Sequence, residues 1–239
     1  MTLLRVFLMA ACVAQSSLLL AKTIQISDDS SRGSPVSLKG TVTFDDKNPD
    51  NVACSVTGHN NSTKSIITYA VELDLTKPSG EPAIVRFQHD RFFKDLSISL
   101  PQTDFPVLTD CESGHELNIP RTPAPAEAHA KLLFVQYDDG SVWGDDKTTS
   151  EIMTQRADVL AYLQSLKAAY SSGGLDALAQ ALSKDQPFRD NNHRPRIMVH
   201  SKQQGLREIR DTAGIQAVAK TIDENLAMAE VRKAALLKP

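Results

Sequence analysis

Residues 131–146, KLLFVQYDDGSVWGDD, mark the point at which the chain changes from β-forming to helix-forming sequence. Residues 132–137 are rich in side chains that favour strands, and Asp139-Gly140 separates them from a second short β-prone run. Asp-Gly between two such runs predicts a two-residue hairpin, because both turn positions require positive φ. Thr148 and Glu151 then fit Thr-x-x-Glu, which predicts a capping box at the start of a helix. One hairpin therefore ends the β part and leads directly into the α part.

The single tryptophan and four aspartates lie around this hairpin. Trp143 is expected near the junction of the two parts, where a large ring can pack between layers. The aspartates Asp138, Asp139, Asp145 and Asp146 are interpreted as turn residues and as charges that stabilise a helix N-terminus. A calcium site is the alternative, although the spacing of an EF-hand loop is absent.

The composition is that of an ordinary soluble protein. The chain has 239 residues, enough for one large domain or two small ones. Only 5% of the residues are aromatic, so the cores are expected to be built from aliphatic side chains. The net charge is −3 and the isoelectric point is about 6.1. Because nucleic-acid-binding domains usually carry a basic face, these values predict that the protein does not bind nucleic acid.

The first 21 residues have the pattern of a secretory signal peptide. Arg5 supplies a positive charge, an apolar run follows, and Ala21 is a small residue suited to cleavage. This pattern predicts a secreted or periplasmic protein with no transmembrane segment after signal cleavage, since a span requires about 20 apolar residues. Residues 9–12, MAAC, give an alternative, because they resemble a lipoprotein box in which Cys12 is lipidated and anchors the protein to the cell envelope.

Two kinds of covalent modification are considered for the β part. In an exported protein, Cys54 and Cys111 most simply form one disulfide, and a pair of buried thiols is the alternative. Asn60 and Asn61 begin two overlapping Asn-x-Ser/Thr sequons, which are glycosylation sites only in a eukaryotic secretory pathway. A polar turn between strands is the interpretation we favour for these asparagines.

The β part predicts a sandwich of short strands. Residues 22–34 are polar and are interpreted as a flexible lead-in. From residue 35, apolar and polar side chains alternate in short runs, separated by turn clusters at intervals of roughly ten residues. This pattern predicts an antiparallel β-sandwich over residues 35–146.

Two segments of this part resemble an immunoglobulin-like module of exported bacterial proteins. They are VACSVTGHNNSTKSIITYAVELDL at residues 52–75 and GHELNIP at residues 114–120. The tryptophan of antibody domains is missing between the two cysteines. The resemblance, to uncharacterised exported bacterial proteins, implies an immunoglobulin-like fold and supplies no activity.

Residues 147–239 are predicted to form a small helical region. Ile152, Val159, Leu163 and Leu166 recur at helical spacing, and a glycine pair at residues 173–174 is expected to end that helix. Two apolar stripes of the last segment are out of phase, which predicts a break at residues 212–214. The predicted fold class is therefore α+β: an N-terminal immunoglobulin-like antiparallel β-sandwich followed by a small C-terminal helical region.

Catalytic motifs are not evident in the sequence. Gly-x-Ser-x-Gly, His-Glu-x-x-His, Cys-x-x-Cys and a phosphate-binding glycine loop are all missing. Asp190, His193 and His200 are the candidates for a metal or acid–base site, although their spacing fits neither one helix face nor one strand face. Exposed loop histidines are the alternative.

Two functional hypotheses follow from these patterns. The first is an exported, non-catalytic binding or scaffolding protein of unknown ligand, whose partner is a protein or a component of the cell envelope; it predicts no cofactor. The second is a metal-dependent or acid–base enzyme that uses the loop between Asp190 and His200. The sequence favours the first, and fold class alone decides neither.

Overall fold

The computed structural model describes residues 22–44, 52–76, 79–93, 104–108, 126–189 and 196–236. These residues form a mixed α/β structure in which the strands come first and the helices follow, as the α+β prediction requires. The strands are β1 (Lys22–Asp28), β2 (Val36–Phe44), β3 (Val52–Asn60), β4 (Ile66–Thr76), β5 (Ile84–Asp90), β6 (Asp104–Leu108), β7 (Glu127–Tyr137) and β8 (Val142–Gly144). The helices are α1 (Asp146–Ser183), α2 (Ile197–Ala213) and α3 (Ile215–Leu236).

The described strands form one curled sheet in the order β5-β4-β7-β1-β2-β3-β6, with β8 paired to β7. Both halves of the curl contribute to a single apolar core, as the alternation of their side chains predicts. Its buried residues include Ile26, Val36, Leu38, Val42, Cys54, Val56, Tyr69, Val71, Leu73, Leu75, Phe105, Leu132 and Val135. Trp143 on β8 packs against the edge of this core, opposite Val135.

The immunoglobulin-like sandwich expected for residues 35–146 is not confirmed, because β1 makes the two halves continuous. Its first four residues, from Lys22 to Gln25, pair antiparallel with β2. Its last three, from Ile26 to Asp28, pair in parallel with β7. Strands β2 and β3, which follow each other in the chain, are also neighbours in the sheet.

The interpretation of the N-terminal segment as a flexible lead-in is wrong. Within residues 22–34, Lys22–Asp28 form β1, and Ile24 and Ile26 alternate with polar residues in it. Ile26 is buried in the sheet core and Ile24 packs against that core. Burial of these two side chains and hydrogen bonding on both edges hold the segment in place.

The hairpin and the start of the first helix follow the sequence with two corrections. The predicted hairpin joins β7 to β8, but its turn has three residues, 138–140, because the Gly140 amide donates to the Tyr137 oxygen and the Tyr137 amide to the Ser141 oxygen, both at 3.0 Å. Gly140 has φ +85°. The expected capping box at Thr148 is wrong, because Asp145 is the N-cap and its carboxylate accepts hydrogen bonds from the Thr148 amide and hydroxyl, both at 2.7 Å. A carboxylate that accepts from the first turn satisfies the same orphan donors as a threonine cap. The helix therefore starts at Asp146.

The helices pack around a second apolar core. Helix α1 kinks at Gly173 and Gly174, where we predicted an end, and continues to Ser183. The predicted break at residues 212–214 is confirmed, since Gly214 ends α2 with φ +86°. The core's buried members include Phe92, Phe93, Val159, Tyr162, Leu163, Leu166, Leu178, Leu182, Val199, Leu206, Val218, Ile222 and Ala229. No helix within the described ranges is both long and apolar enough to cross a membrane.

Candidate functional site: a buried junction and an exposed helix surface

A fully buried ion pair joins the first helix to the sheet. Arg156 of α1 is 0% exposed, and the side chain of Asp90, the last residue of β5, is 2% exposed. The Arg156 Nε donates to Asp90 Oδ2 at 2.7 Å and an Nη donates to Asp90 Oδ1 at 3.0 Å. This two-point geometry is the strongest form of arginine–carboxylate pairing. It fixes both the position and the rotation of the helix against the sheet.

The remaining donors of Arg156 are directed at two further strands. One Nη donates to the Thr68 hydroxyl on β4 and the other to the Gln136 side-chain oxygen on β7, each at 2.7 Å. The guanidinium also stacks on Phe92, 4.7 Å from the ring centre. A buried charge is tolerated only when it is paired and hydrogen-bonded in this way. The group is thus a structural junction between β4, β5, β7 and α1, shielded from solvent.

The sequence carries a signal for this junction, although Arg156 was not among the predicted site residues. Arg156 lies four residues after Ile152, three before Val159 and seven before Leu163, so it occupies a position on the apolar stripe of α1. A charged residue on a buried stripe requires an opposite charge from elsewhere in the fold. Its partner could not be named from the sequence, because Asp90 lies 66 positions away.

The chain that follows Asp90 enters the helical core. The Asp90 carboxylate accepts a hydrogen bond from the Phe92 amide at 2.9 Å, which turns the chain out of β5. Phe92 and Phe93 then pack edge to face, 4.8 Å between ring centres, among the side chains of the helices. Arg232 of α3 donates to the main-chain oxygens of Arg91 and Phe92. Full burial of one large apolar side chain contributes about 1.5–3 kcal/mol, so this insertion makes the sheet and the helices one unit.

A buried glutamine holds the end of the first helix. The Gln203 amide nitrogen donates to the Leu182 oxygen at 3.1 Å and to the Lys184 oxygen at 2.7 Å. Its oxygen accepts from the Gln186 amide at 3.2 Å. Since the last carbonyls of a helix have no partner within the helix, Gln203 of α2 supplies donors that the C-terminus of α1 lacks.

Two aspartates around the hairpin lie in the turn and at the helix N-terminus, as the sequence predicted, and the second of them is also the helix cap. Asp139 is 2.8 Å from Lys64 Nζ and accepts from the Ser141 hydroxyl and amide. These contacts, with Lys64 first, lower the pKa of Asp139 to about 2. Asp145 caps α1. Among the described residues, neither of these two carboxylates belongs to a group of three side chains that could hold a metal ion.

An exposed apolar surface lies where α2 begins, and we call Phe188, Ile197 and His200 the α2 surface. Phe188 is 51% exposed and Ile197 is 54% exposed. The rings of Phe188 and His200 meet edge to face at 5.9 Å. Ile197 precedes His200 by three residues, so both lie on the same face of α2. A hydrogen bond of 2.8 Å from the Arg196 amide to the Phe188 oxygen brings the loop residue to the helix.

The α2 surface adjoins the sheet. The Gln88 side-chain nitrogen on β5 lies 3.4 Å from the sulfur of Met198, the residue after Ile197. The start of α2 therefore lies close to β5, while Val199 and Leu206 of the same helix are buried in the second core. Large side chains held on rigid elements bind with a small loss of conformational freedom.

The candidate metal residues are only partly placed. Asp190 and His193 lie outside the described residues, so the metal-site hypothesis for the loop stays a prediction. His200 lies exposed on α2, and among the described residues its ring contacts Phe188. In the described ranges no group of three His, Cys, Asp or Glu side chains could hold a metal ion.

The modification candidates are placed as follows. Cys54 is 4% exposed in β3, and Cys111 and Cys12 lie outside the described residues, so the disulfide and the lipid anchor stay predictions. Asn60 is buried; its amide donates to the Lys64 oxygen at 2.8 Å and its oxygen accepts from the Ser62 amide at 3.0 Å. Asn61 is exposed in the same turn. Asn60 thus has the turn-forming role that we favoured.

Comparison with known proteins identifies no family. No protein-family model matches the chain, and neither the curated proteins nor the solved structures contain a significant match.

Proposed function

We propose that this is an exported, non-catalytic binding protein that engages its partner through the α2 surface. Export follows from the signal-peptide pattern of residues 1–21, with lipid anchoring at Cys12 as the alternative. The partner is a protein or another component of the cell envelope. The immunoglobulin-like character of residues 35–146 belongs to the same proposal and rests on the sequence resemblance alone.

The observation that carries the proposal is the joint exposure of Phe188 and Ile197. Both residues are more than half exposed; Phe188 contacts the His200 ring, and Ile197 lies three residues before His200 on the same helix. Single exposed apolar residues are ordinary, whereas neighbouring ones on a rigid frame are typical of interaction sites. Aromatic side chains are also enriched at the energetic centres of interfaces. The sheet and helices, joined by Arg156 and Asp90, serve as the frame.

The test compares two isoleucines of equal exposure. Ile197 is 54% exposed on the α2 surface, and Ile84, which is 55% exposed, lies at the start of β5. The purified protein carries an affinity tag and is mixed with the exported and envelope fractions of its native host. Co-isolated components are quantified for the wild type, for Ile197→Asp and for Ile84→Asp, after circular dichroism has shown that all three are folded.

We expect Ile197→Asp to lose the component that the wild type retains, whereas Ile84→Asp keeps it. Loss of a central interface residue costs at least about 2 kcal/mol, which is roughly thirtyfold in affinity. Phe188→Asp should have the same effect as Ile197→Asp. Retention of every component by both α2 variants, or equal losses in Ile84→Asp, would show that the α2 surface is not the binding site.

A further inference from the structure

Strand β1 is the link between the two halves of the described sheet. The hydrogen-bonded path from β4 and β7 to β2 and β3 passes through it. Its first part pairs with β2 and its second part with β7. Detachment of β1 would therefore expose an edge of each half at once, and exposed edges are ready to pair with another strand.

The end of β1 is fixed by bonds to both neighbours. The Asp28 carboxylate accepts from the Leu38 amide of β2 at 2.7 Å. The Ser30 hydroxyl accepts from the Leu132 amide of β7 at 2.9 Å. Between them, the Asp29 amide donates to the Ala130 oxygen at 2.8 Å. These three amides report directly on whether the end of β1 is attached.

A histidine of β7 lies between two carboxylates at this point. Its Nδ1 is 3.1 Å from Oδ2 of Asp29, which follows β1, and its Nε2 is 3.3 Å from Oε2 of Glu127 on β7. The residue is His129, with a side chain that is 30% exposed. The Nε2 atom is hydrogen-bonded to Glu127, whereas the buried Nδ1 atom makes no aligned hydrogen bond with Asp29. The contact with Asp29 is therefore a charge attraction, which exists only when the imidazole is protonated.

A further carboxylate near His129 also favours its protonated form, and the nearby lysine faces a carboxylate of its own. Asp74 on β4 lies opposite His129 in the register, and it adds a third carboxylate. Lys131, two residues further along β7, lies opposite Glu72 of β4. Hydrogen bonding to Glu127, together with the nearby charge of Asp29, raises the pKa of His129 above 6.5 against the opposing effect of partial burial.

We propose that His129 is a pH-sensitive clamp, whose protonated form holds the end of β1 on β7 and whose deprotonation loosens β1 and exposes the edges of both halves of the sheet. When the proton leaves, the charge attraction between His129 and Asp29 is lost, whereas Nε2 can still donate to Glu127. Asp29 is the carboxylate attached to β1. The clamp is independent of the α2 surface, and it would make strand release depend on the acidity of the compartment.

The sign of the effect follows from the raised pKa. The folded-state pKa of His129 lies above its unfolded value, so the stabilising contribution is complete below pH 6.5. It is lost as the pH rises through the folded-state pKa. An exposed pair of this type changes a local equilibrium by about two- to fivefold.

Amide hydrogen exchange measured by NMR tests the clamp. Protection factors of the Leu38, Asp29 and Leu132 amides are followed between about pH 5.5 and 8.5 and divided by that of Tyr137, whose amide donates to Ser141 within the β7–β8 hairpin. In the wild type the three ratios should fall about two- to fivefold with rising pH. In His129→Gln they should be independent of pH and equal to the high-pH wild-type values.

His59→Gln is the matched control. His59 also pairs with one carboxylate, Asp104, at 2.8 Å, but on β3 and away from β1. This variant should keep the wild-type pH dependence. If His129→Gln does not fold, Glu127→Gln replaces it, and the fall should then move to lower pH. Ratios that are constant with pH in the wild type, or a fall that persists unchanged in His129→Gln and Glu127→Gln, would overturn the proposal.

Discussion

Replacement of Arg156 by methionine should lower the free energy of unfolding by about 3–5 kcal/mol, because it leaves a carboxylate buried without its cation. The Asp90 side chain is 2% exposed, and its remaining donors would be the Thr68 hydroxyl and the Phe92 amide. Methionine keeps much of the apolar length of arginine, so that the loss comes mainly from the charge. Since a domain is usually stable by about 5–15 kcal/mol, the effect should be large.

The variant Asp90→Asn completes a double-mutant cycle. Asparagine keeps a side-chain oxygen for Thr68 and Phe92, but the Arg156 cation would then be buried without a counterion, at a similar cost of about 3–5 kcal/mol. In the double variant neither charge is present, so its stability should be no lower than that of either single variant. The resulting coupling energy should be about 3 kcal/mol, at the upper end for residues in contact.

An exposed ion pair of the same sheet provides the control. Arg86 and Glu72 are 2.8 Å apart, and the Arg86 side chain is 53% exposed. Arg86→Met makes the same chemical change as Arg156→Met in solvent. It should alter stability by less than about 1 kcal/mol.

Equilibrium unfolding in urea, followed by two probes, measures these differences. Fluorescence of Trp143, the single tryptophan, reports on the β7–β8 hairpin, and far-ultraviolet circular dichroism reports mainly on the helices. Because the junction joins sheet and helices, the two transitions should coincide in the wild type. A loss below about 1 kcal/mol in Arg156→Met, or single effects that add in the double variant, would refute the reasoning.

Four further substitutions test local features by the same unfolding measurement. Gly144→Ala should destabilise the protein by about 1–3 kcal/mol, because Gly144 has φ +145° and an added Cβ would lie 2.4 Å from the Leu133 oxygen. The control Gly205→Ala, in open space on α2, should instead stabilise the protein by about 0.5–1 kcal/mol. Equal effects of the two substitutions on stability would contradict this account. Asp145→Ala removes the N-cap of α1 and should cost about 1 kcal/mol, whereas an unchanged midpoint would show that the cap is unimportant. Gln203→Leu removes three buried hydrogen bonds at the end of α1 and should cost about 1–3 kcal/mol; a neutral result would mean that water replaces them.

Individual strands, turns and helix breaks could be predicted because each is encoded by a few consecutive residues. The strand at Val36–Phe44, the turn at Asp139-Gly140 and the break at Gly214 were all predicted. Each depends on the side chains of a few consecutive residues, through alternation or through the positive φ that glycine permits. The same reasoning placed the helix start within three residues but chose the wrong cap, since Asp145 and Thr148 both carry suitable oxygens.

The candidate site was only partly foreseen. His200 was named as a candidate metal ligand; it lies on the α2 surface beside Phe188, and the metal site itself stays a prediction because Asp190 and His193 lie outside the described residues. Phe188 and Ile197 were not selected, because an apolar residue in a polar loop or at a helix start looks the same in the sequence whether it is exposed or buried. Whether such a residue is exposed or buried depends on how it packs against other segments of the chain.

The sequence by itself determined that strands precede helices, the position of the change from β to α, and the breaks between helices. Only the tertiary structure decided that Lys22–Asp28 joins both halves of the sheet, that Arg156 meets Asp90, and that His129 lies between two carboxylates. The physical reason is distance along the chain. Backbone propensity and periodicity are encoded by neighbouring residues, whereas the choice of one partner for Arg156 among 29 acidic residues is made by the packing of strands and helices far apart in sequence.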